Sequence, residues 1–538
     1  SPLPDYCTRY PICYAGPART PDGAVIGSFG PTTAGRMDSY ADALMSRGAA
    51  LVTLAKGNRS RQWTESCARY GAWYLGTPGG IASLIASEYI TAEQVLDYAD
   101  LGMEAVRLVT VRDLPAFVIT TARGEDFYEA LHDSDSKKRA IDIEHYFDWA
   151  ATAPCDADLA HEALEASLST FGNPSSAHSA GQKAHALLEQ ARSDCANTLG
   201  VQAAQLYFTS GGTESDHIPL LATLARQNHN HARILISAVE HPALREQAAA
   251  LSRLGYTVDT ILPDKSGFIT PEAVVEKLTS DTVFVTVMAV NNETGCIQPI
   301  YAISDAIIAA TQGKRRPHFH VDCVQAAGKI PLDLAHKGID SAAFSAHKLC
   351  GPRGIGLLYL AKPLTPFLAG GGQERNIRSG TENLFGALAL AQCLKRYWIS
   401  SSEKADNDAR ARLSQQQRWT ADFIASLAAI DGCTLVPDSR TATAADANFS
   451  PWVVQAAFKD IPGNVMVRAL DAKGFAISTG SACSAKKQNR PILAAMGVSR
   501  DVQDTAVRFS FGAHTTKAGM DALLCAVREV VATFHPTR

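Results

Sequence analysis

The sequence predicts an α/β protein whose centre is a doubly wound, mostly parallel sheet. Seven short apolar runs alternate with helical patterns, at residues 205–208, 233–237, 257–261, 283–290, 318–321, 341–345 and 356–359. Such alternation is typical of a parallel sheet covered by helices. Small, polar or ionisable residues follow several of these runs, and ligands of such sheets bind at the carboxyl ends of the strands. We therefore expect a binding site at one edge of this sheet.

Length, charge and cysteine usage limit the classes of protein to consider. The chain has 538 residues, enough for about two to four domains. A net charge of -4 gives no electrostatic reason to expect binding to nucleic acid or to an anionic membrane. Neither a transmembrane run of apolar residues nor a signal peptide is visible. The 12 cysteines are scattered without a CxxC pair, which is typical of a reducing, cytoplasmic location.

The pattern before the large sheet predicts a separate α/β domain at residues 1–132, followed by a polar, charge-rich linker at 133–140. Strands are predicted in it at 49–54, 72–75 and 116–121, and helices at 60–70 and 78–87.

Two further domains are predicted after the linker. Residues 141–395 contain the large sheet and a long helix at 179–199, and residues 396–538 form a smaller domain. Within the smaller domain we expect helices at 402–427 and 520–534.

Lys348 is the residue around which the predicted site is arranged. It follows the apolar run 341–345 and precedes the Gly/Pro-rich sequence at 351–354. Burial at the floor of a pocket lowers the pKa of a lysine and makes its amine nucleophilic, which suits Schiff-base chemistry. For a lone lysine, the ordinary alternative is a solvated residue leaving a strand.

Three other features favour a cofactor site. The Gly-Gly turn at 209–214 opens a helix and has the geometry of a phosphate cradle, without the lysine of a nucleoside-triphosphate loop; taken alone, it fits a plain capped helix equally well. Asp322 follows an apolar strand, where a buried carboxylate needs a cationic partner such as a protonated pyridine nitrogen. His241 ends another strand and offers a flat ring. With Lys348, these features predict a pyridoxal 5'-phosphate site.

Seven segments then carry a family resemblance. FTSGGTES, VEHPAL, VNNETG, HVDCVQAAGK, SAHKLCGPRG, GGGQERNIRSGTEN and STGSACS resemble, in this order, the signature segments of class I cysteine desulfurases, which belong to the class V aminotransferase group of fold-type I enzymes. The resemblance covers about residues 143 to 530. It implies conversion of L-cysteine to L-alanine and delivery of sulfur to an acceptor protein for iron–sulfur cluster or thio-cofactor assembly. A selenocysteine lyase, or another enzyme of β-elimination on the same scaffold, is the alternative.

The same resemblance implies a role for each matching residue. Lys348 matches the Schiff-base lysine, His241 the imidazole stacked on the ring, Asp322 the pyridinium partner and Gln325 the donor to the ring phenolate. The phosphate contacts match Gly212, Thr213, Ser345 and His347, together with Thr381 from a second subunit, which implies a homodimer.

Substrate binding and sulfur transfer are implied for three more residues. Asn292 and Arg508 match residues that hold the substrate, and a guanidinium fork suits a carboxylate. Cys483 matches the sulfur acceptor, in a polar, basic loop with Lys486, Lys487 and Arg490, which would favour the thiolate.

A different resemblance covers most of residues 1 to about 130. GSFGPTTAGRMD and LAKGNRS, with YAGPARTPDG before and LGMEAV after, resemble the C-terminal half of the β domain of class I fumarases and tartrate dehydratases. It implies that Thr32 acts as base and that Arg36 and Lys56 bind the carboxylates of a hydroxy acid. By spacing alone, these residues equally fit turns, helix caps and solvated cations.

The fumarase-like segment is incomplete. The family's domain with a [4Fe–4S] cluster is missing, and Cys7, Cys13 and Cys67 do not replace the cluster ligands, so no metal site is predicted. We expect no dehydration by this segment alone. It is then half of a site completed by an iron–sulfur fumarase α-type chain, or a docking or oligomerisation module.

Overall fold

The computed structural model describes residues 3–31, 34–77, 82–127, 142–225, 232–401, 408–443, 446–480 and 490–534. The chain forms two compact units, Ser1–Ala140 and Ile141–Arg538. In the described part of the chain, no helix is long and apolar enough to cross a membrane.

The first unit contains a small mixed sheet and two antiparallel ribbons. Strands β1, β4 and β5 are parallel neighbours in the sheet, and β8 pairs antiparallel with β5. Strand β2 pairs with β3, and β6 pairs with β7. The strands are β1 Ile12–Cys13, β2 Ala15–Pro17, β3 Phe29–Pro31, β4 Val52–Ala55, β5 Trp73–Gly76, β6 Ile90–Asp97, β7 Val106–Val111 and β8 Phe117–Thr120.

The helices of this unit are short. They are α1 Tyr6–Arg9, α2 Ala41–Met45, α3 Arg61–Tyr70 and α4 Ala82–Leu84, with a 3₁₀ helix at Ala34–Tyr40, a π turn at Ile85–Tyr89 and a 3₁₀ segment at Ala99–Glu104. Helix α3 ends at Gly71, whose φ of 69° is left-handed. It buries Trp63 completely, and β5 does the same with Tyr74.

The sequence missed the β6–β7 ribbon. Most side chains of β6 are exposed or half-buried, so no alternation of apolar and polar residues marks it as a strand. The helix predicted at 78–87 is wrong at its C-terminal end. Its described part is a single helical turn, Ala82–Leu84, which changes to a π turn at Ile85–Tyr89. Residues 78–81 lie outside the described residues.

In the part of the second unit that the structure describes, the central element is a seven-stranded sheet. The order is β11-β10-β12-β13-β14-β15-β9; the first five are parallel, and β15 is antiparallel to both of its neighbours. These strands are β9 Leu206–Thr209, β10 Arg233–Ser237, β11 Thr257–Ile261, β12 Thr282–Thr286, β13 His318–Asp322, β14 Ser341–Ser345 and β15 Gly356–Leu360.

All seven predicted strands are present, in a mostly parallel sheet. Strands β9, β14 and β15 are buried along their whole length, which explains their continuous apolar runs. The predicted strand 283–290 is too long. Val290 instead makes an isolated antiparallel bridge with Ile297, because the chain turns back there and carries Asn292 at the turn.

Helices cover this sheet, and a smaller three-stranded sheet follows in the chain. The helices are α5 Ala157–Ser169, α6 Ser179–Leu199, α7 Gly212–Leu221, α8 Pro242–Arg253, α9 Pro271–Lys277, α10 Ile300–Ala310, α11 Leu384–Tyr397, α12 Asp408–Ala428, α13 Gly463–Ala472, α14 Pro491–Ala495, α15 Arg500–Thr505 and α16 Lys517–Phe534, with 3₁₀ turns at Ile143–His145, Ala203–Gln205, Ala222–Ala225, Ala346–Lys348 and Glu374–Asn376. The small sheet is antiparallel, with β16 Cys433–Leu435, β17 Val453–Phe458 and β18 Ala506–Ser510. A division of the second unit at residue 395 stays a prediction.

Candidate active site

A cavity of about 300 Å³ lies at the carboxyl ends of the large sheet's parallel strands. It is lined by residues that follow β10, β12, β13 and β14, by the first turn of α7, and by Arg508 of β18. Most of the residues predicted from the sequence meet there: Gly212, Thr213, His241, Asn292, Asp322, Gln325, Ser345, His347, Lys348 and Arg508.

Lys348 ends the short 3₁₀ turn after β14 and points into this cavity. Its Nζ donates hydrogen bonds to the carbonyl oxygens of Ala150 and Ala151, both at 2.6 Å. Burial lowers the pKa of Lys348 to about 8, and the nearby cation of Arg508 adds to this effect. A substantial fraction of the amine is therefore neutral, and hence nucleophilic, near neutral pH.

Asp322 ends β13 on the floor of the cavity. Its Oδ1 accepts a hydrogen bond from the Val324 N–H at 2.8 Å. Burial, together with the neighbouring carboxyl of Asp216, raises the pKa of Asp322 to about 7. A carboxyl placed in this way gains stability from a cationic N–H donor in the cavity, which a pyridinium nitrogen would supply.

A chain of hydrogen bonds runs from Asp216 into the sheet. Asp216 Oδ1 lies 3.1 Å from His320 Nε2, and His320 Nδ1 lies 2.7 Å from Ser341 Oγ. The same hydroxyl is 2.7 Å from His318 Nε2. Burial lowers the pKa of His320 to about 4, so the ring is neutral. No role was predicted for Asp216, His318, His320 or Ser341, although the spacing of His318, His320 and Asp322 places these three on one face of a strand.

The two predicted histidines of the cavity are also neutral. His241 caps α8, where its Nδ1 accepts the Ala243 N–H at 3.2 Å. Burial lowers the pKa of His241 to about 4, with a further contribution from Lys348. His347 Nδ1 lies 3.1 Å from Thr152 Oγ1, and burial lowers its pKa to about 4. Neutral imidazoles suit ring stacking and hydrogen bonding.

The turn between β9 and α7 has the geometry of an anion site. Gly212 is the first residue of the helix, and a Cβ there would lie 2.7 Å from Val324 Cγ2, so a side chain does not fit. The Thr209 and Ser215 hydroxyls, 2.7 Å apart, hold the turn. The N–H groups at a helix start are free for a phosphate, and Ser345 and His347 line the same region.

Arg508 reaches the cavity from β18 and is almost completely buried. Its Nη2 is paired with Asp148 Oδ1 at 2.7 Å, and its Nη1 donates to the carbonyl oxygens of Asn292, at 2.8 Å, and Gly480. Among the described residues, Arg508 Nε and Asn292 Oδ1 are buried without a hydrogen-bond partner. These two polar groups are therefore suited to a ligand. The sequence analysis did not identify Asp148, which holds the guanidinium in place.

Comparison with known proteins decides the family. The family model described as aminotransferase class-V matches residues 145–523, and the one described as fumarase C-terminus matches residues 1–131. The chain belongs to the class-V aminotransferase family.

Several relatives that this chain resembles are named as cysteine desulfurases. A NifS/IcsS protein homolog of Lactobacillus delbrueckii subsp. bulgaricus is 35% identical over 72% of this chain and 97% of its own length. A cysteine desulfurase IscS of Methanosarcina thermophila is 33% identical over 72% of this chain and 91% of its own. The resemblance recognised in the sequence, including the fumarase-like segment, is thereby confirmed.

Solved structures agree with this class-V fold. A structure described as a NifS-like protein has a TM-score of 0.63 at 30% identity and covers 72% of this chain and 100% of its own. A second, described as SspA in complex with cysteine, has a TM-score of 0.57 at 26% identity and covers 69% and 100%. The predicted fold-type I architecture is confirmed.

Two predicted residues of the class-V unit that the structure describes, Thr381 and Arg490, do not line the cavity. Cys483, Lys486 and Lys487 lie outside the described residues, and Thr381 is exposed. Arg490 is mostly buried, and its Nη2 lies 3.5 Å from Glu293 Oε2. Its Nη1 donates to the Gln503 and Ala506 carbonyl oxygens at 3.3 and 3.2 Å. Of the three cations predicted to favour a thiolate, Arg490 is therefore paired with Glu293.

Of the three fumarase-like candidates, the structure describes the side chain of Lys56. Thr32 lies outside the described residues, and of Arg36 only the backbone is described, in the 3₁₀ helix Ala34–Tyr40. Lys56 follows β4, and its side chain is exposed.

Arg59, for which no role was predicted, joins the segment that carries Arg36 to the segment that carries Lys56. Its Nε is 2.8 Å from Asp38 Oδ1, and its guanidinium stacks on Trp63, 3.1 Å from the ring centroid. Asp38 Oδ2 also accepts the Ser60 N–H at 2.6 Å. Burial lowers the pKa of Arg59, while Asp38 opposes the shift. The pair links the segments that carry Arg36 and Lys56.

Proposed function

We propose that this chain is a pyridoxal phosphate-dependent cysteine desulfurase that removes sulfur from L-cysteine and releases L-alanine. One observation carries the proposal. A single cavity joins a half-buried lysine of lowered pKa, a strand-end carboxyl and a helix-start anion cradle. The cysteine desulfurases among the relatives match this whole unit.

The residues present fit the cofactor. Lys348 would bind it covalently, Asp322 would hold the ring nitrogen, and Gln325 would donate to the ring oxygen. The phosphate would be held by Gly212, Thr213, Ser345 and His347, and His241 would lie against the ring. When bound, the cofactor supplies an electron sink for the negative charge that develops on the substrate's α carbon.

The protein's own groups then perform binding and proton transfer. Arg508 and Asn292 bind the substrate carboxylate, and Asp148 keeps the guanidinium oriented. The neutral amine of Lys348 takes the α proton, because its lowered pKa matches that of a general base near neutral pH. His241, neutral and adjacent, assists the movement of protons.

Sulfur transfer is assigned to Cys483, which lies outside the described residues. Its thiolate attacks the substrate sulfur, an S–S bond forms, and the C–S bond breaks. The electron pair of the broken bond passes to the substrate's β carbon, which gains a proton and leaves in alanine. Cys483 retains the sulfur as a persulfide, which passes to an acceptor protein for iron–sulfur cluster or thio-cofactor assembly in the cytoplasm.

A visible spectrum and an alanine assay test this function. The purified chain, supplied with pyridoxal phosphate, is expected to gain a visible absorbance and to form alanine and sulfide from L-cysteine with a thiol reductant. Cys483→Ala should abolish both products, whereas the matched control Cys525→Ala, at an exposed helical cysteine, should retain them. An absorbing chain that forms no alanine contradicts the proposal.

Selenocysteine separates the main alternative. Direct elimination of selenium needs no protein thiol, so a selenocysteine lyase would keep its activity in Cys483→Ala. A cysteine desulfurase, in contrast, would lose sulfide release from cysteine in that variant. A wild-type chain that acts on selenocysteine and not on cysteine would favour the lyase.

The proposal includes a homodimer. Thr381 is exposed and does not line the cavity of its own chain, as is expected of a residue that serves a partner's phosphate site. Mixing Lys348→Ala with Thr381→Ala chains tests this arrangement. A hybrid dimer has one site without either substitution, so activity should reappear; no recovery after subunit exchange contradicts it.

A second function is proposed for the first unit, as the β half of a split fumarate or tartrate hydro-lyase. The match of residues 1–131 to the fumarase C-terminus model favours it. The test mixes this chain anaerobically with a reconstituted iron–sulfur α-type chain and measures fumarate hydration. The absence of hydration removes this function and leaves a docking or oligomerisation role.

A further inference from the structure

A buried lysine, Lys329, contacts the lining of the cavity, and the proposed reaction gives it no role. Lys329 follows the turn after β13, and only 8% of its surface is exposed. Among the described residues its Nζ has one hydrogen-bond acceptor, Gln325 Oε1, at 2.6 Å. A methionine would fill similar space without the cost of burying an amine. The polar contact therefore calls for a functional explanation.

The contact determines how the amide of Gln325 is oriented. An ammonium nitrogen placed there can only donate, and a neutral amine still has N–H groups to donate, so the amide oxygen faces Lys329 and the amide nitrogen faces the Ala150 carbonyl oxygen, which can only accept. The nitrogen donates one N–H to the Ala150 carbonyl oxygen at 2.9 Å. An amide nitrogen has two N–H groups, so one remains for the cavity that Gln325 lines.

The same contacts connect Lys329 to Lys348. The Ala150 carbonyl oxygen that accepts from Gln325 also accepts from Lys348 Nζ at 2.6 Å. The two lone pairs of this carbonyl oxygen are thus both used. A rotated Gln325 amide would present its oxygen to this carbonyl, and the repulsion would disturb the position of Lys348.

We infer that Lys329 is a positioning residue that fixes the Gln325 amide with an N–H directed into the cofactor cavity. The inference rests on the proposed function, because the group that receives this N–H is the oxygen of the bound cofactor ring. It assigns Lys329 no contact with substrate or cofactor.

The charge state of Lys329 allows its positioning role to be separated from a direct electrostatic effect of its charge on the cofactor. Burial lowers the pKa of Lys329 to about 7; Lys348 and Arg508 lower it further, and the Cys350 thiol opposes them. Arg412 lines the same small cavity beside the amine. Above about pH 8 the amine is mostly neutral, so its field on the cofactor is small while its hydrogen bond persists.

The test uses the full chain and two readouts that do not depend on turnover, both taken above pH 8. One is the affinity for pyridoxal phosphate. The other is the pH midpoint of the absorbance change of the bound cofactor. Lys329→Met should weaken cofactor binding by about 3- to 10-fold, the usual worth of one hydrogen bond. It should also raise the midpoint, because a ring oxygen without its donor is more basic. Lys337→Met, at an exposed lysine of the same unit, should change neither.

A double variant decides between positioning and other effects. Gln325→Leu should shift both readouts in the same direction, and adding Lys329→Met should change them by less than about twofold more. Full additivity of the two changes, or an unchanged Lys329→Met, overturns the inference. If Lys329→Met does not fold, Lys329→Gln takes its place in the same cycle. A wild-type chain that binds the cofactor but makes no alanine removes the proposed function alone, whereas one that binds no cofactor removes both.

Discussion

The two units of this protein place their candidate residues in contrasting ways. In the second unit, residues on or next to six separate elements meet in one cavity, and hydrogen bonds at 2.6–3.2 Å fix Lys348, Gln325, Asp322 and His241. In the first unit, Lys56 is exposed, and a buried ion pair joins Arg59, three residues further along the chain, to Asp38. Mutual contacts therefore support the candidate site of the second unit, whereas in the described part of the first unit the support is an ion pair that joins two segments of its candidate site.

The largest expected effect tests this contrast directly. Lys348→Ala removes both the cofactor-binding amine and the proposed base, so alanine formation should fall by on the order of 1,000-fold or more. Lys56→Ala, the matched lysine of the first unit, should leave the rate within about twofold. The rates are measured with the cofactor in excess; a large loss in Lys56→Ala would show that the two units share one activity.

Arg508→Lys should produce the next largest effect. A lysine cannot reproduce the fork that contacts Asp148 and Asn292 together, so binding of the substrate carboxylate weakens. We expect KM for L-cysteine to rise by about 10- to 100-fold, with a smaller change in kcat. Steady-state kinetics measure the division. A fall in kcat at constant KM would mean that Arg508 acts on the reacting atoms and not on the carboxylate.

Asp322→Asn should stabilise the cofactor-free chain and yet weaken cofactor binding. The pKa of Asp322 is raised to about 7, so its ionisation opposes folding, and the loss of stability grows as the pH rises from about 4 to 7. The variant should therefore gain on the order of 2 kcal/mol at pH 8 and less at pH 5. Urea unfolding at both pH values measures this difference. A variant less stable than the wild type at pH 8 would contradict the assignment.

The sequence predicted the second unit well because its signals are local and repeated. Fully buried parallel strands give continuous apolar runs, and residues just after them, such as Asp322 and Lys348, necessarily meet at one sheet edge. The partners that tune these groups were not predicted. Asp148 and Lys329 belong to a turn and a loop whose contacts depend on tertiary packing, and the alternating pattern carries no trace of them.

The first unit was predicted less completely for a physical reason. The ribbon of β6 and β7 exposes most of its side chains, so the apolar alternation that identifies a strand is absent. The Arg59–Asp38 pair is likewise invisible in the sequence, because charged residues in loops are usually solvated. Only the fold brings the guanidinium onto the ring of Trp63.

Asp38→Asn should have the smallest effect, and one confined to the first unit. It leaves the Arg59 cation buried without its counter-charge, although the stacking on Trp63 remains. We expect the local stability of residues 34–40 and 56–70 to fall by on the order of 2 kcal/mol, about a 30-fold loss of amide-exchange protection. Hydrogen-exchange mass spectrometry of the full chain measures this loss.

The control for this variant is an ion pair of the same unit that lies on the surface. Asp42 pairs with Arg69 at 3.0 Å, with both side chains largely exposed, so Asp42→Asn should cost less than about 1 kcal/mol. Alanine formation should stay within about twofold of the wild-type rate in both variants, because the cavity residues belong to the other compact unit. Equal losses of protection in the two variants would mean that the buried pair does not hold the loops of Arg36 and Lys56. The first unit would then lack even the supporting contacts of an anion site, and a docking or oligomerisation role would be the better explanation of its presence.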